Sequence, residues 1–347
     1  MPAQRSPLEQ QPTIGRPTEA ATNFIAKDVV PPELALAMMN LAPANPFCTV
    51  SYAEAMRANG RQVWLLGTER DGKLIAGCYG FISSGHLNRS LNILSIPDVS
   101  SRDVFWDGLM RFCSLHRITF LSLNSLASSS TRIPSLPGEV ERHRLSEYML
   151  DLEDPEWERR VARKHWQNIH RALQSGVTLR RPSGVDACRQ HVRLIAASMQ
   201  RRRKRGGAIL GSVEQKLSQT IFLTERGAGE LFQAIAGGET LASGLVLRAA
   251  EGAYYETAGN SPQGMKCGAS HFLIYSIAKV LRAESIRAFN LGDAEPNQNP
   301  GLSLFKSRFG ATPVSLEYAR CYFGSDLRRK LTGAARYLRQ IGSDLHR

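Results

Sequence analysis

The chain has 347 residues, 42% of them hydrophobic, which is enough for two domains with cores of their own. Lys and Arg number 44 against 31 Asp and Glu, and the net charge of +13 predicts attraction to phosphates, anionic lipids or acidic small molecules. No run approaches the ~20 apolar residues of a membrane span, and Cys48, Cys78, Cys113, Cys188, Cys267 and Cys321 are too scattered for a zinc or dithiol motif, so reduced thiols in a cytoplasmic protein are expected.

Residues 1–22 are rich in Pro, Gln and Thr, lack an apolar leader core, and predict a disordered tail. Residues 63–82 predict two strands around an Asp71-Gly72 turn, followed by an amphipathic helix over 102–117 with Phe105, Leu109 and Phe112 inward and a strand over 118–124. The polar stretch 125–141 comes next. In and before the predicted helix "RKHWQNIHRAL", Trp157, Val161, Ile169 and Leu173 form the expected buried stripe, leaving Arg160, Arg163, Lys164 and Arg171 on other faces. The run "RRRKRGG" places Arg201, Arg202, Arg203, Lys204 and Arg205 at a helix end; it either satisfies terminal carbonyls or neutralises RNA phosphates.

Residues 231–247 predict a second hairpin around Gly237-Gly238. A strand with Tyr255 and Glu256, the loop "NSPQGMKCGASHF", a helix with Phe272, Ile274, Ile277 and Leu281 inward and a strand over 286–292 complete this part. Gly77 aligns with Gly244 at an offset of 167, and Phe105 with Leu273 and Ile118 with Ile286 at 168. Three elements in one order at one offset argue for a duplicated hairpin-helix-strand unit. Domains are therefore expected at 23–150 and 151–324, as similar sheets packed side by side with an acceptor cleft between them. An amphipathic helix is expected at 325–347, with Leu327, Leu331, Ala334 and Leu338 on its apolar face.

In "LSLFKSRFGA" a lysine, Lys306, and Arg308 stand among Leu302, Leu304, Phe305 and Phe309. The copies differ here, since Lys306 falls opposite Gly138. With "RKHWQNIHRALQSGVTL", "YYETAGNSPQ" and "FNLGDAEP", this segment resembles the FemABX-like branch of the GNAT superfamily. The resemblance covers most of 153–319; the first half matches in general layout alone. It implies an α/β fold of tandem GNAT-like domains, each a mixed, mostly antiparallel sheet flanked by helices, with the first copy degenerate. The implied activity is transfer of an aminoacyl or acyl group to an amine.

By that resemblance Lys306 stabilises charge at the reacting carbonyl, while Phe305 and Phe309 exclude water. The alternative is a lysine that snorkels along an amphipathic helix. Asp293, the second candidate catalytic residue, ends the strand before the lysine segment, where ligands meet open α/β sheets, or is a turn residue. Tyr255, Glu256, Phe305, Arg308 and His271 are candidate substrate contacts, His271 as a proton acceptor or a surface residue. Lys164, Arg171, Lys266 and the 201–205 run are candidate RNA or phosphate contacts.

The GNAT coenzyme A loop, Q/R-x-x-G-x-G/A, is incomplete, because Gln263 is followed three residues later by Lys266; Gly264, Gly268 and Ser270 are its remnants. No metal box, nucleophile elbow or Walker loop is present. The expected activity is aminoacyl-tRNA-dependent amide formation on the amine of a peptide-like natural product or a peptidoglycan-type precursor, with tRNA as partner and no bound cofactor. The rivals are an acyl-CoA N-acyltransferase and a non-catalytic RNA- or anionic-surface-binding protein.

Overall fold

A computed structural model of the chain describes residues 21–85, 88–100, 102–129, 132–203, 212–294 and 299–324. The C-terminal segment with Leu327, Leu331, Ala334 and Leu338 lies outside the described residues, as do residues 1–20 of the predicted tail. The first strand, β1 (Thr22–Lys27), begins with the last residue of the predicted tail. It is followed by α1 (Pro32–Leu41), a 3-10 turn at Pro46–Cys48 and α2 (Val50–Ala58). The hairpin β2 (Gln62–Arg70) and β3 (Lys73–Ser84) leads into β4 (Arg89–Ile93), α3 (Val104–Leu115), β5 (Phe120–Asn124) and the long β6 (Glu139–Asp151).

The second half runs through a 3-10 turn at Trp157–Arg160, α4 (Arg163–Gln174), β7 (Thr178–Arg180), α5 (Val185–Arg203) and α6 (Val213–Glu225). Then come β8 (Gly229–Ala236), β9 (Glu239–Arg248), β10 (Gly252–Asn260), α7 (Pro262–Cys267) and α8 (Ala269–Ala283). The last elements are β11 (Ala288–Ala294), α9 (Pro300–Ser307) and β12 (Thr312–Tyr322). Both predicted hairpins turn on two left-handed residues, Asp71 (φ 50°) with Gly72 (φ 71°), and Gly237 (φ 57°) with Gly238 (φ 81°). This backbone matches the twist of paired strands.

The twelve strands among the described residues belong to one sheet, in the order β1-β2-β3-β4-β5-β12-β6-β11-β10-β9-β8-β7. In each half three antiparallel strands precede a helix and a strand that returns parallel to the third: β4 with β5, and β10 with β11. The order reads the same from either end once β6 is matched to β12. Each of those two strands has crossed over: β6 pairs with β11, and β12 pairs with β5. They also pair with each other. The expectation of two sheets side by side is thus corrected to one continuous mixed, mostly antiparallel sheet, because the exchange leaves no break in the hydrogen bonding between halves.

Three apolar clusters hold helices to this sheet. α3 buries Phe105, Leu109 and Phe112 against Leu91 and Leu121, as its spacing predicts. α4 and α8 pack Ile169, Phe272, Ile277 and Leu281 with Phe289 and Phe309. The third cluster joins the halves, with Phe47, Tyr52, Leu65 and Phe81 meeting Leu231, Leu245, Leu247 and Tyr254. On α4 the buried residues are His165, Ile169 and Ala172; Leu173 is half exposed, and Trp157 and Val161 are buried ahead of the helix. Leu304, expected to cover Lys306, is likewise half exposed. Among the described residues no helix is long and apolar enough to cross a membrane.

Candidate active site

β10 and β11 pair in parallel at Gly252–Ala288, Ala253–Phe289 and Tyr254–Asn290, and then part. Both strands become irregular there. The register of β10 on β9 shifts between Tyr255 and Thr257, leaving Glu256 as the extra residue, and that of β11 on β6 shifts between Asn290 and Asp293. Such bulges re-aim side chains and end pairing beside sites. Gly292 takes a left-handed φ of 81°, and a Cβ on it would lie 3.2 Å from the Tyr255 carbonyl oxygen and 3.5 Å from Lys306 Nζ. In the first half the equivalent strands stay closed: the Ile96 N–H donates to the Asn124 carbonyl (2.9 Å) and the Leu126 N–H to that of Leu94 (3.0 Å).

α9 brings Lys306 to this opening. Pro300 sits in its first turn, and Ser303 and Lys306, three residues apart, are its buried side chains. Lys306 is 7% exposed; its Nζ donates to the Asp293 carbonyl oxygen at 2.7 Å and lies 6.0 Å from the Tyr148 ring centre. The side chain therefore turns inward and does not snorkel. Burial lowers its ammonium to about 8, against the opposing pull of the Asp293 and Glu147 carboxylates.

The residues around it are in part ones that spacing did not reveal. Glu147 is 2% exposed, reaches the site from β6, and accepts the Ala127 N–H at 2.9 Å; burial lifts its carboxyl above the ordinary range. Tyr254 and Asn290 are its buried neighbours, and burial, Glu147, Glu256 and Asp293 together raise the Tyr254 hydroxyl well above its usual value. The Asn290 Oδ1 accepts the Gly292 N–H at 2.8 Å and fixes the bulge. Glu256, half-buried beside the opening, is pushed up to about 7 by burial and by Asp293, with Lys216 opposing. His191 is fully buried behind it, bridging the Ser243 hydroxyl (2.9 Å) and the Thr257 hydroxyl (3.0 Å), and so pins the bulge to α5.

The other predicted residues divide. Asp293 is exposed and meets Lys306 through its backbone carbonyl. The Tyr255 ring covers Gly244 and packs edge-on to Phe289, so the tyrosine beside Glu147 is Tyr254. Arg308 caps α9, and its carbonyl accepts the Ala162 N–H at 2.8 Å. His271 is neither surface nor a ready base. Its ring stands edge-to-face on His165 (4.5 Å) and Phe305 (5.0 Å), and burial, His165 and Arg171 lower it to about 4. His165 donates from Nε2 to the Phe305 carbonyl at 2.9 Å, tying α4 to the helix that carries Lys306.

Lys164 and Arg171 lie exposed on α4, beside exposed Lys266, whose carbonyl is 3.4 Å from Arg171 Nη1. The loop ahead of α8 is folded into α7, with the Gly264 N–H donated to Ser261 Oγ at 2.9 Å. Gly268 (φ 83°) seats the start of α8 against α4, where an added Cβ would meet the Asn168 carbonyl oxygen at 2.4 Å. Of the basic run, Arg201 is engaged by the Asn260 carbonyl at 2.6 Å and Ser198 Oγ at 2.9 Å. Arg202 and Arg203 end α5, and Lys204 and Arg205 lie outside the described residues.

Residues 159–299 match the family model described as an acetyltransferase (GNAT) domain. No curated protein sequence matches the chain. Among solved structures, the chain is similar to FemX, with TM-score 0.59 and 13% identity over 78% of this chain and 90% of that one. It is also similar to L-PGS from Bacillus licheniformis, with TM-score 0.52 and 14% identity over 90% and 97%. A tandem GNAT protein from the clavulanic acid biosynthesis pathway matches with TM-score 0.51 and 11% identity over 88% and 100%. At these identities the likenesses concern the fold. The acetyltransferase (GNAT) model over 159–299 is what supports a GNAT-superfamily assignment and an acyltransferase-type activity.

Proposed function

We propose that the protein is an aminoacyl-tRNA-dependent transferase that forms an amide on an acceptor amine, and that its halves, 23–150 and 151–324, are tandem GNAT-like units of which only the second is catalytic. The observation that carries this reading is the buried Lys306 ammonium at the parted β10–β11 pair. The acceptor nitrogen attacks the ester carbonyl while Glu256, titrating near neutrality, takes its proton. Lys306 stabilises the oxyanion in a site largely closed to water. The carbon–oxygen bond then breaks, and the departing 3′ oxygen of the tRNA takes up a proton.

The donor is assigned from charge and from the loop. Lys164, Arg171 and Lys266 form one basic face, with the basic run that follows Arg201 in the sequence as a further phosphate contact, while the loop amides that would cradle a pyrophosphate are in part spent within α7. A second reading, transfer from an acyl-CoA to an amine, is favoured by the match to the acetyltransferase model. Single-turnover assays with aminoacyl-tRNA and with acetyl-CoA separate the two. Affinity for charged tRNA should fall steeply with salt, and replacing Lys164, Arg171 and Lys266 together should lower the slope of log K against log salt by ~2–3. Turnover with acetyl-CoA and none with charged tRNA reverses the assignment.

A further inference from the structure

A cleft of about 350 Å³ opens in the first half, between the α1–α2 connection, β3 and the loops that follow β4 and β5. It lies beside the loops that follow β4 and β5, the counterparts of β10 and β11, and unlike them these two strands stay hydrogen-bonded to each other. Its size is that of a small-molecule site. Its floor is built from buried polar groups: Asn45 and Ser95 are each 4% exposed, and Asn45 Nδ2 donates to Ser95 Oγ at 2.6 Å and to the Ala127 carbonyl at 3.0 Å. Buried polar groups are costly unless paired, so this arrangement is a formed surface rather than a packing gap.

The charge of the cleft is opposite to that of the chain. In a protein of net charge +13, no lysine or arginine lines it among the described residues, and its charged wall residue is Asp98. A phosphate would find no cation there, whereas an ammonium would find the Asp98 carboxylate; the Ser95 Oγ already accepts from Asn45 and the Ser128 Oγ donates to the Ile96 carbonyl at 2.8 Å, so toward a ligand these oxygens act as acceptors. Cys48, also in the wall, is buried, and burial raises its thiol. Ala127 links it to the Lys306 site: its carbonyl is held by Asn45, and its N–H donates to Glu147.

We propose that this cleft is a second small-molecule site, separate from the Lys306 opening, that takes a compact unphosphorylated amine bearing hydroxyl or amide groups. The proposal does not depend on the donor or on catalysis. Titration calorimetry on the full chain with D-glucosamine, L-serinamide, ethanolamine and D-glucosamine 6-phosphate tests it. At least one unphosphorylated amine should bind saturably at one site, and at least tenfold more tightly than the phosphorylated sugar. Ile75→Trp, at the half-exposed rim, should weaken that binding at least tenfold, and Lys306→Met should leave it unchanged. Asp98→Lys, at an exposed position, should reverse the preference toward the phosphorylated sugar. Saturable binding by none of the amines overturns the proposal, as does binding that survives Ile75→Trp or is lost in Lys306→Met.

Discussion

Glu256 and Lys306 bracket neutrality from opposite sides, one raised to about 7 and the other lowered to about 8, both chiefly by burial. The proposed chemistry needs the carboxylate ionised and the ammonium protonated, so kcat/KM should rise through about pH 7 and fall through about pH 8. Glu256→Gln should remove the rising limb as well as most of the rate, and a pH profile of that variant checks it. Linkage at this desolvated lysine has the same sign as that of a salt-bridged acid, because in both the folded value is lowered, and the opposite sign to that of a salt-bridged lysine. The unfolded chain binds the Lys306 proton more tightly between about 8 and 10.5, so this group makes stability rise with pH across that window. Lys306 was legible because its segment carries a family resemblance. Glu147, Tyr254 and Asn290 were not, since alternation along a strand says which residues share a face but not which distant strand lies beside them.

The clip between the exchanged strands is a prediction at the scale of elements. Glu317 on β12 is buried, accepts the Ile133 N–H at 3.0 Å and pairs with Arg142 on β6 at 2.9 Å. Glu317→Gln keeps the volume and removes the charge, leaving Arg142, itself partly solvated, to Glu139. A loss of ~1–3 kcal/mol is expected in urea unfolding, and an unchanged midpoint would show that the strand pair holds without the clip. Local signals set the hairpins, as the Asp-Gly and Gly-Gly turns show; the Asp103 cap of α3, which accepts the Phe105 N–H at 2.9 Å, is an addition from the structure. Leu173 was misplaced because α4 buries His165 and Ala172, a histidine and a small residue that apolar periodicity undervalues. The parting of β10 from β11 has no local signal, as it depends on two bulges that face different partners.

At the scale of the molecule the duplication was legible and the continuity was not. Offsets of 167 and 168 point to a repeated order of elements, which the sheet shows, but the exchange of β6 and β12 is a matter of long-range pairing. One sheet and a shared apolar cluster predict a single cooperative thermal transition, with calorimetric and van't Hoff enthalpies equal; two resolved transitions would mean that the halves unfold independently. The exchange also unites the site, because it sets Glu147 of the first half beside Lys306 of the second. The account rests on that lysine meeting charge that exists in the transition state. The direct test is the single-turnover rate of aminoacyl transfer in Lys306→Met with both substrates saturating. The predicted result is a fall of roughly 10²–10³-fold with substrate affinities nearly unchanged, by analogy with loss of one oxyanion donor. A rate within a few-fold of wild type, or a loss confined to KM for the donor, would contradict it.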